Sequence, residues 1–436
     1  MFISILICKI SAFLLSVIGR GSAMPGKLAL AICPDILKKL KLPKLTIAVT
    51  GSNGKTSTTE LINHIAKTTG KKVISNSKGS NQIEGVATLL LRNSNFKGEV
   101  MADIAVIESD ERFCQYTFSQ FAPDYILVTN LFRDQLTRNG HSEYVHGELK
   151  KGLPKESKLI LNADDPLTAS LGIGRKDAVY FSIKPTAFIE CDDKSHAYDD
   201  GCCPVCGKKL KYTYRIYNHL GEYKCEFCGC SAPDAYHSIT GIIGDRFEIN
   251  KKHLIKPQIV NTIFANNLIA AFAAGAVALS LPEEDVAKSL DGYVMKNDRI
   301  VKFELAGREG TMMITKHENS LAYGGVLNTI VDEGSEEKTV AIIFDLLSRR
   351  YIANDVSWLW DIDFEVLRDD SISKIFLGGK FAYDLRLRLD FAGIDKEKIV
   401  VVPDIGEMVE KMKAESIGRV FAMTCFTDVD KFIQAV

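Results

Sequence analysis

The stretch from Leu45 to Gly70 decides the fold: LTIAVT (45–50), GSNGK (51–55) and TSTTELINHIAKTTG (56–70). The first run is short, apolar and β-rich; the last repeats apolar positions at helical spacing and stops at Gly70. Strand, glycine turn and helix in that order predict the opening βα unit of a parallel sheet. The N–H groups of such a turn point at phosphate oxygens, assisted by the helix dipole. Gly51, Ser52, Asn53 and Gly54 make the turn, Lys55 would reach terminal phosphates, Thr56 would place its hydroxyl on a magnesium ion, and Ser57 completes the string TGSNGKTS. The spacing is not the generic Walker form, because a glycine six residues before the lysine would fall at Val49. A tight turn with an exposed lysine is the bland alternative.

Outward from this unit, KKVIS, ADIAVIES, DYILVTN and KLILNA are further strand candidates separated by helical or loop segments, which predicts a parallel sheet with helices on both faces. Ligands of open α/β sheets bind beyond the carboxyl ends of the strands. Glu108, at the end of IAVIE, is there the best candidate for a second magnesium contact, with Asp110 and Glu111 as alternatives and a solvated acidic loop as the bland reading.

Between residues 188 and 233 the composition turns abruptly to Cys, Gly, Tyr, Lys and Asp, which marks an inserted module. Cys203-Pro-Val-Cys206 and Cys225-Glu-Phe-Cys228 are two knuckles separated by about 18 residues, the spacing of a four-thiolate zinc site. Such a closed site leaves no position for water, so the ion would be structural. Cys202 and Cys230 are substitute ligands, although the paired register favours the four named. An Ala-rich helix then begins at NTIFANNLIAA, and a second α/β pattern follows with strands at KTVAIIFDLL, SKIFLGG, KIVVVP and RVFAMT. The organisation reads as an N-terminal helical segment (1–40), a nucleotide-binding α/β domain (41–298) carrying the insert, and a smaller C-terminal α/β domain (299–436).

Composition excludes some classes. Over 436 residues, 54 Lys and Arg against 55 Asp and Glu give a net charge of −1, with no basic footprint for nucleic acid. Eleven cysteines, an odd number clustered mainly from Cys191 to Cys230, suit a reduced cytoplasmic compartment with one metal site better than a secreted disulfide framework. The opening MFISILICKISAFLLSVIG is interrupted by Lys9 and falls short of the ~20 residues of a membrane span. It is predicted as a helix over 3–18 packed on the domain, with an export signal as the alternative and peripheral contact with the inner membrane face left open.

TGSNGKTS, IESDE, PDYILVTNLFRDQL, LNADDP and NNLIAA resemble the central domain of Mur ligases, and the four-cysteine insert, GRGSAMPGKLAL and DVSWLWDIDFE are similar to the MurT-type subunits of lipid II isoglutaminyl synthase. The resemblance implies a Mur-ligase-like fold using ATP and magnesium. It implies that the D-glutamate α-carboxylate of the lipid II stem peptide is activated as an acyl phosphate and amidated by ammonia from a GatD-type glutaminase. It also implies that Lys55, Thr56 and Glu108 hold phosphate and metal, that Asn267 contacts adenine and that Arg299 is a nucleotide contact from the hinge. Asp355 would complete a catalytic triad with the partner's cysteine and histidine; a helix cap is its bland alternative. Trp358 and Trp360 beside it would serve core or interface.

Two strings depart from the MurT pattern: Lys316-His317-Glu318-Asn319-Ser320 stands where a KNPAG-like string is typical, and Leu347-Ser348-Arg349-Arg350-Tyr351-Ile352-Ala353 where an NDNxADG-like one is. They motivate the alternative of a nucleotide-binding scaffold without turnover. An amino-acid-adding Mur ligase is a third reading, weakened because only about 40 residues precede the loop, too few for a uridine-nucleotide domain.

Overall fold

Short apolar runs bounded by polar turns pair into two sheets in separate compact units. The computed structural model describes residues 1–16, 21–77, 80–133, 140–185, 201–295, 300–316, 318–346 and 355–436. One unit comprises Met1–Phe132 and His141–Met295, the other Arg133–Gly140 and Lys296–Val436.

The first unit holds β1 (Leu45–Thr50), β2 (Val73–Ser75), β3 (Ile104–Glu108), β4 (Tyr125–Val128), β5 (Lys158–Asn162), β6 (Ala178–Ile183), β7 (Lys211–Tyr217), β8 (Leu220–Lys224), β9 (His237–Ile243), β10 (Arg246–Ile249) and β11 (His253–Ile255). Nine of these form one sheet in the order β11-β10-β9-β6-β5-β4-β1-β3-β2, while β7 and β8 form a separate hairpin. The sheet is parallel from β2 through β9; β10 alone runs against the rest, so the β9–β10 and β10–β11 pairs are antiparallel. Ile47, Ala48 and Val49 are fully buried, because helices cover both faces and a parallel strand must be apolar on each.

The chain builds β2 and β3 on one side of β1, then crosses to build β4, β5 and β6 on the other. The order therefore reverses at β1, and the loops leaving β1, β3 and β4 diverge around a crevice at the carboxyl edge. The Ala-rich helix is Thr262–Val277, capped by Asn261, whose side chain accepts from Phe264 N; it packs on the Lys55–Thr68 helix behind the glycine turn.

At the N-terminus the predicted helix spans Phe2–Ser16 and buries Ser4, Ile5, Cys8 and Ala12. It packs with the helices Met24–Ile32 and Ile83–Arg92. Gly26 permits the close crossing of the latter two: its N–H donates to Thr88 Oγ1 at 2.8 Å, and a Cβ there would strike the Glu84 carbonyl.

The second unit contains β12 (Ile300–Leu305), β13 (Arg308–Thr315), β14 (Lys338–Ile343), β15 (Ile372–Gly378), β16 (Ile399–Val401) and β17 (Arg419–Cys425), ordered β12-β13-β17-β14-β15-β16. The four strands predicted there are β14 to β17. The β12–β13 hairpin is additional; its antiparallel pairing extends an otherwise parallel sheet. One face packs Tyr323, Leu327, Trp358 and Leu385, the other Met408, Val409 and Phe432.

Candidate active site

The glycine turn stands where predicted, between β1 and a helix beginning at Lys55. Gly54 is the residue before that helix and has φ +80°, a left-handed backbone that side chains resist. Asn267, buried on the Thr262–Val277 helix, lies so close that a Cβ on Gly54 would run into its Oδ1. The turn is thus shaped from beneath by a residue more than 200 positions away.

Lys55 is 4% exposed. Its Nζ donates to Glu111 Oε2 at 2.8 Å and to the carbonyls of Ser52, at 3.1 Å, and Gly51. Burial opposes its charge, but the Glu111, Asp110 and Glu108 carboxylates outweigh burial and raise its pKa above the usual lysine range. Lys55 is therefore a fixed, desolvated cation. Thr56 and Ser57 follow on the first turn, half-buried.

All three acids are buried at the carboxyl end of β3, but they divide the work. Glu111, an alternative in the sequence reading, takes the ion pair with Lys55. Glu108 stands opposite Val49 in the sheet register and accepts from Asn81 Nδ2 at 3.0 Å, while its backbone N–H donates to Asn76 Oδ1 at 2.7 Å. Glu108 and Thr56 each offer oxygen ligands, the chemistry that magnesium prefers.

A second brace comes from residues just after β4 that the motif reading did not single out. Thr129 Oγ1 donates to Asn53 O at 2.6 Å, Asn53 N donates to Asn130 Oδ1 at 3.0 Å, and Phe132 N donates to Ser52 Oγ at 3.0 Å. Their signal was present: a polar pair directly after the apolar run YILV lies at the same carboxyl edge as the glycine turn. Asp165 fixes this segment in turn, accepting from Leu131 N and Thr168 Oγ1, both at 2.6 Å, and capping the Pro166–Ser170 helix through Leu167 N. Asp165-Pro166 is a readable helix start.

The four cysteines of the insert converge. Their sulfurs lie within 4.8 Å of one another, with Cys203–Cys228 and Cys206–Cys225 at 3.5 Å. A tetrahedral zinc with bonds of ~2.3 Å would set sulfurs about 3.8 Å apart, so the cluster fits one such ion. Gly207 N and Gly229 N each donate back to the first cysteine of their knuckle at 2.9 Å. Among the described residues no other group of His, Cys, Asp and Glu is so disposed, and Cys202 and Cys230 lie outside it.

The β7–β8 hairpin joins this cluster to the loops already described. His219, at its tip, stands 3.6 Å from Asp165 Oδ1 and packs on the Phe132 ring at 4.5 Å between centroids; Gly221 N donates to Asp164 O at 2.8 Å. His219 and hydrogen bonding overcome the burial of Asp165 and hold its carboxyl below the usual carboxylate range. Nothing in the local sequence marks His219 for this position.

In the second unit, Asp355 Oδ1 accepts from Ser357 N at 2.8 Å; Asp355 stands one residue before Val356, the N-cap of the short Ser357–Asp361 helix, so the bond is a local turn bond and not the side-chain cap expected. Those bonds hold it below the usual carboxylate range. Trp358 is core, packed on Tyr323 and Phe344, whereas Trp360 is partly exposed beside Phe391. Of the string after Thr315, Glu318 has φ +48° and Asn319 caps the Ser320–Val331 helix through Ala322 N at 2.7 Å. His317, Arg299 and the departing string Leu347–Ala353 lie outside the described residues.

With this geometry in hand, the comparisons with known proteins agree on a class. The Mur ligase middle domain model matches residues 49–220, and a pseudomurein peptide ligase type C from Methanothermus fervidus has the same fold, with a TM-score of 0.71 at 22% identity over 92% of this chain and 80% of that one. The MurT ligase C-terminal model matches residues 317–429. The MurT subunit of the glutamine-hydrolysing lipid II isoglutaminyl synthase of Staphylococcus aureus (strain COL) is 31% identical over 90% of this chain and 87% of its own; that of Streptococcus pneumoniae is 30% identical over 97% and 94%. The chain belongs to the Mur ligase family, in its MurT branch, and is an ATP-dependent ligase.

Gly54→Ala is expected to weaken binding of a non-hydrolysable ATP analogue at least about tenfold, since it adds backbone strain and a clash with Asn267. Titration calorimetry checks this against Gly147→Ala, where a Cβ meets nothing within 4 Å and affinity should not change.

Proposed function

We propose that the chain amidates the α-carboxylate of D-glutamate in the lipid II stem peptide, giving D-isoglutamine during peptidoglycan synthesis. A carboxylate oxygen attacks the γ-phosphorus of ATP and ADP leaves. Ammonia then attacks the acyl carbon, loses a proton and expels phosphate, which carries off that oxygen. The observation that carries this reading is the buried Lys55 held among Glu108, Asp110 and Glu111 at the sheet's switch point. Phosphoryl transfer needs mainly positioning and charge neutralisation, and a pre-set cation beside oxygen donors supplies both.

In this reading the N–H groups of Gly51 to Lys55 cradle phosphates, Lys55 turns from Glu111 to the terminal phosphate, and Thr56 and Glu108 hold magnesium, which neutralises phosphate charge when bound. Asn267 contacts adenine as well as shaping the turn, and Arg299 reaches the nucleotide. The MurT relatives are named as subunits of a glutamine-hydrolysing synthase, which supports a GatD-type partner as the ammonia source. Asp355 would then exchange its bond from Ser357 N for the partner's histidine. Cys203, Cys206, Cys225 and Cys228 hold structural zinc.

A nucleotide-binding scaffold without turnover is the second reading, motivated by the sequence Lys316–Ser320 that replaces the typical string. ATP turnover by the purified chain separates the two. Turnover requiring both lipid II and either ammonium or a glutaminase partner supports the ligase; ATP binding without turnover under every combination supports the scaffold.

A further inference from the structure

The Phe2–Ser16 helix is inverted relative to a normal surface helix, which turns polar residues to water. At 100° per residue, Phe2, Ile3, Ile10, Phe13 and Leu14, with Leu6 and Ile7 between them, share an arc of about 140° that contains no polar side chain. This arc faces outward, not into the core: Phe13 is 74% exposed, and Ile3 and Leu14 are each 61% exposed. The Phe2 ring meets that of the exposed Phe96 at 5.0 Å, which widens the face. On the neighbouring helix, Met24, Leu28 and Ile32 are exposed at four-residue intervals along one edge. No described helix is long and apolar enough to cross a membrane, and 15 residues rise only about 22 Å against a hydrocarbon core of ~30 Å.

The charge around this face indicates what covers it. Residues 1–44 contain six lysines and one arginine against the single Asp35, a net +6 in a chain whose total is −1. Asp35 is paired with Lys39 at 2.9 Å and the nearby Glu99 with Lys41 at 2.7 Å, so these two acids are already matched by lysines. Lys9 lies at the edge of the apolar arc and donates to the Arg92 carbonyl at 2.7 Å; Lys27 and Lys38 are exposed. A second copy of the chain would bring an equal positive charge against this one. An anionic lipid surface complements both the charge and the apolar arc.

We infer that the Phe2–Ser16 helix lies in the interface of an anionic bilayer, its apolar arc among the acyl chains, with Lys9 and the lysines of the following segment, Lys27 and Lys38 among them, at the headgroups. The inference is independent of the reaction proposed above, because it needs no substrate. Its test is cosedimentation of the full chain with vesicles of phosphatidylcholine alone and with added phosphatidylglycerol, neither containing lipid II. Binding at least about tenfold tighter to the anionic vesicles, weakened by salt, is expected. Ile10→Glu with Phe13→Glu should reduce that binding by at least about tenfold. Lys27→Ala should reduce it about fivefold, on anionic vesicles only. Because these side chains are exposed, the thermal midpoint and ATP affinity should not move. Equal binding to both vesicles, absence of binding, or full binding by the double variant would overturn the inference. So would a dimer that the double variant dissolves in a chain that ignores vesicles.

Discussion

Lys55→Ala is expected to lower ATP turnover by at least about a thousandfold, because it removes the buried cation set among Glu108, Asp110 and Glu111. The same substitution leaves three buried carboxylates without their counter-charge, at a cost of about 3–5 kcal/mol of stability at neutral pH. The pH dependence follows from Lys55 itself: against the opposing effect of burial, the neighbouring carboxylates raise its folded pKa, so its stabilisation is complete below the ordinary lysine pKa and is lost only as pH rises through the higher folded value. Denaturant melts of both proteins from neutral to alkaline pH check this, the gap between them narrowing only at the alkaline end, with single-turnover assays for the chemistry. A variant as stable as wild type at neutral pH would mean that the carboxylates do not depend on Lys55.

The second large effect is expected at the cysteine cluster. Cys203→Ser with Cys206→Ser should remove one zinc per chain, measured by elemental mass spectrometry, and release several kcal/mol of folding energy, since structural zinc binds with about 10–16 kcal/mol in small modules. The loss should spread. With the hairpin loosened, His219 no longer bears on Asp165 and Phe132, so Leu131 and the turn segment at Ser52 lose a support. Hydrogen exchange should therefore rise in residues 201–232 and, more weakly, in residues 129–132. Exchange confined to the insert would make it an independent module. Undetectable zinc in an anaerobic preparation of the wild-type chain would exclude the zinc assignment.

What could be read from the sequence was local. Strand, glycine turn, lysine and helix are contiguous, so the turn and the apolar β1 followed from one stretch, whereas the left-handed backbone of Gly54 appears only in the structure. The cysteine register was legible for the same reason: each knuckle is four residues long and its glycine closes the turn. The acid partner of Lys55 was not. Glu108, Asp110 and Glu111 follow one another after β3, and only the path of the chain there hands Lys55 to Glu111 and Glu108 to Asn81. His219 and Asp165 lie 54 positions apart and meet only because β6 and β9 pair across the insert. Asp355 was legible as either cap or catalytic acid; its carboxylate bonds Ser357 N one residue ahead of the N-cap Val356, a local turn that the string alone does not distinguish from a cap.

The central claim, ATP-driven activation of a stem-peptide carboxylate, is tested most directly by the fate of one oxygen atom. Lipid II carrying heavy oxygen in its D-glutamate α-carboxylate would be incubated with the chain, ATP, magnesium and ammonium, and the released phosphate analysed by mass spectrometry. One heavy oxygen per phosphate, with an amide in the product, is the expected result. Unlabelled phosphate, or bound ATP with no phosphate released, would contradict it.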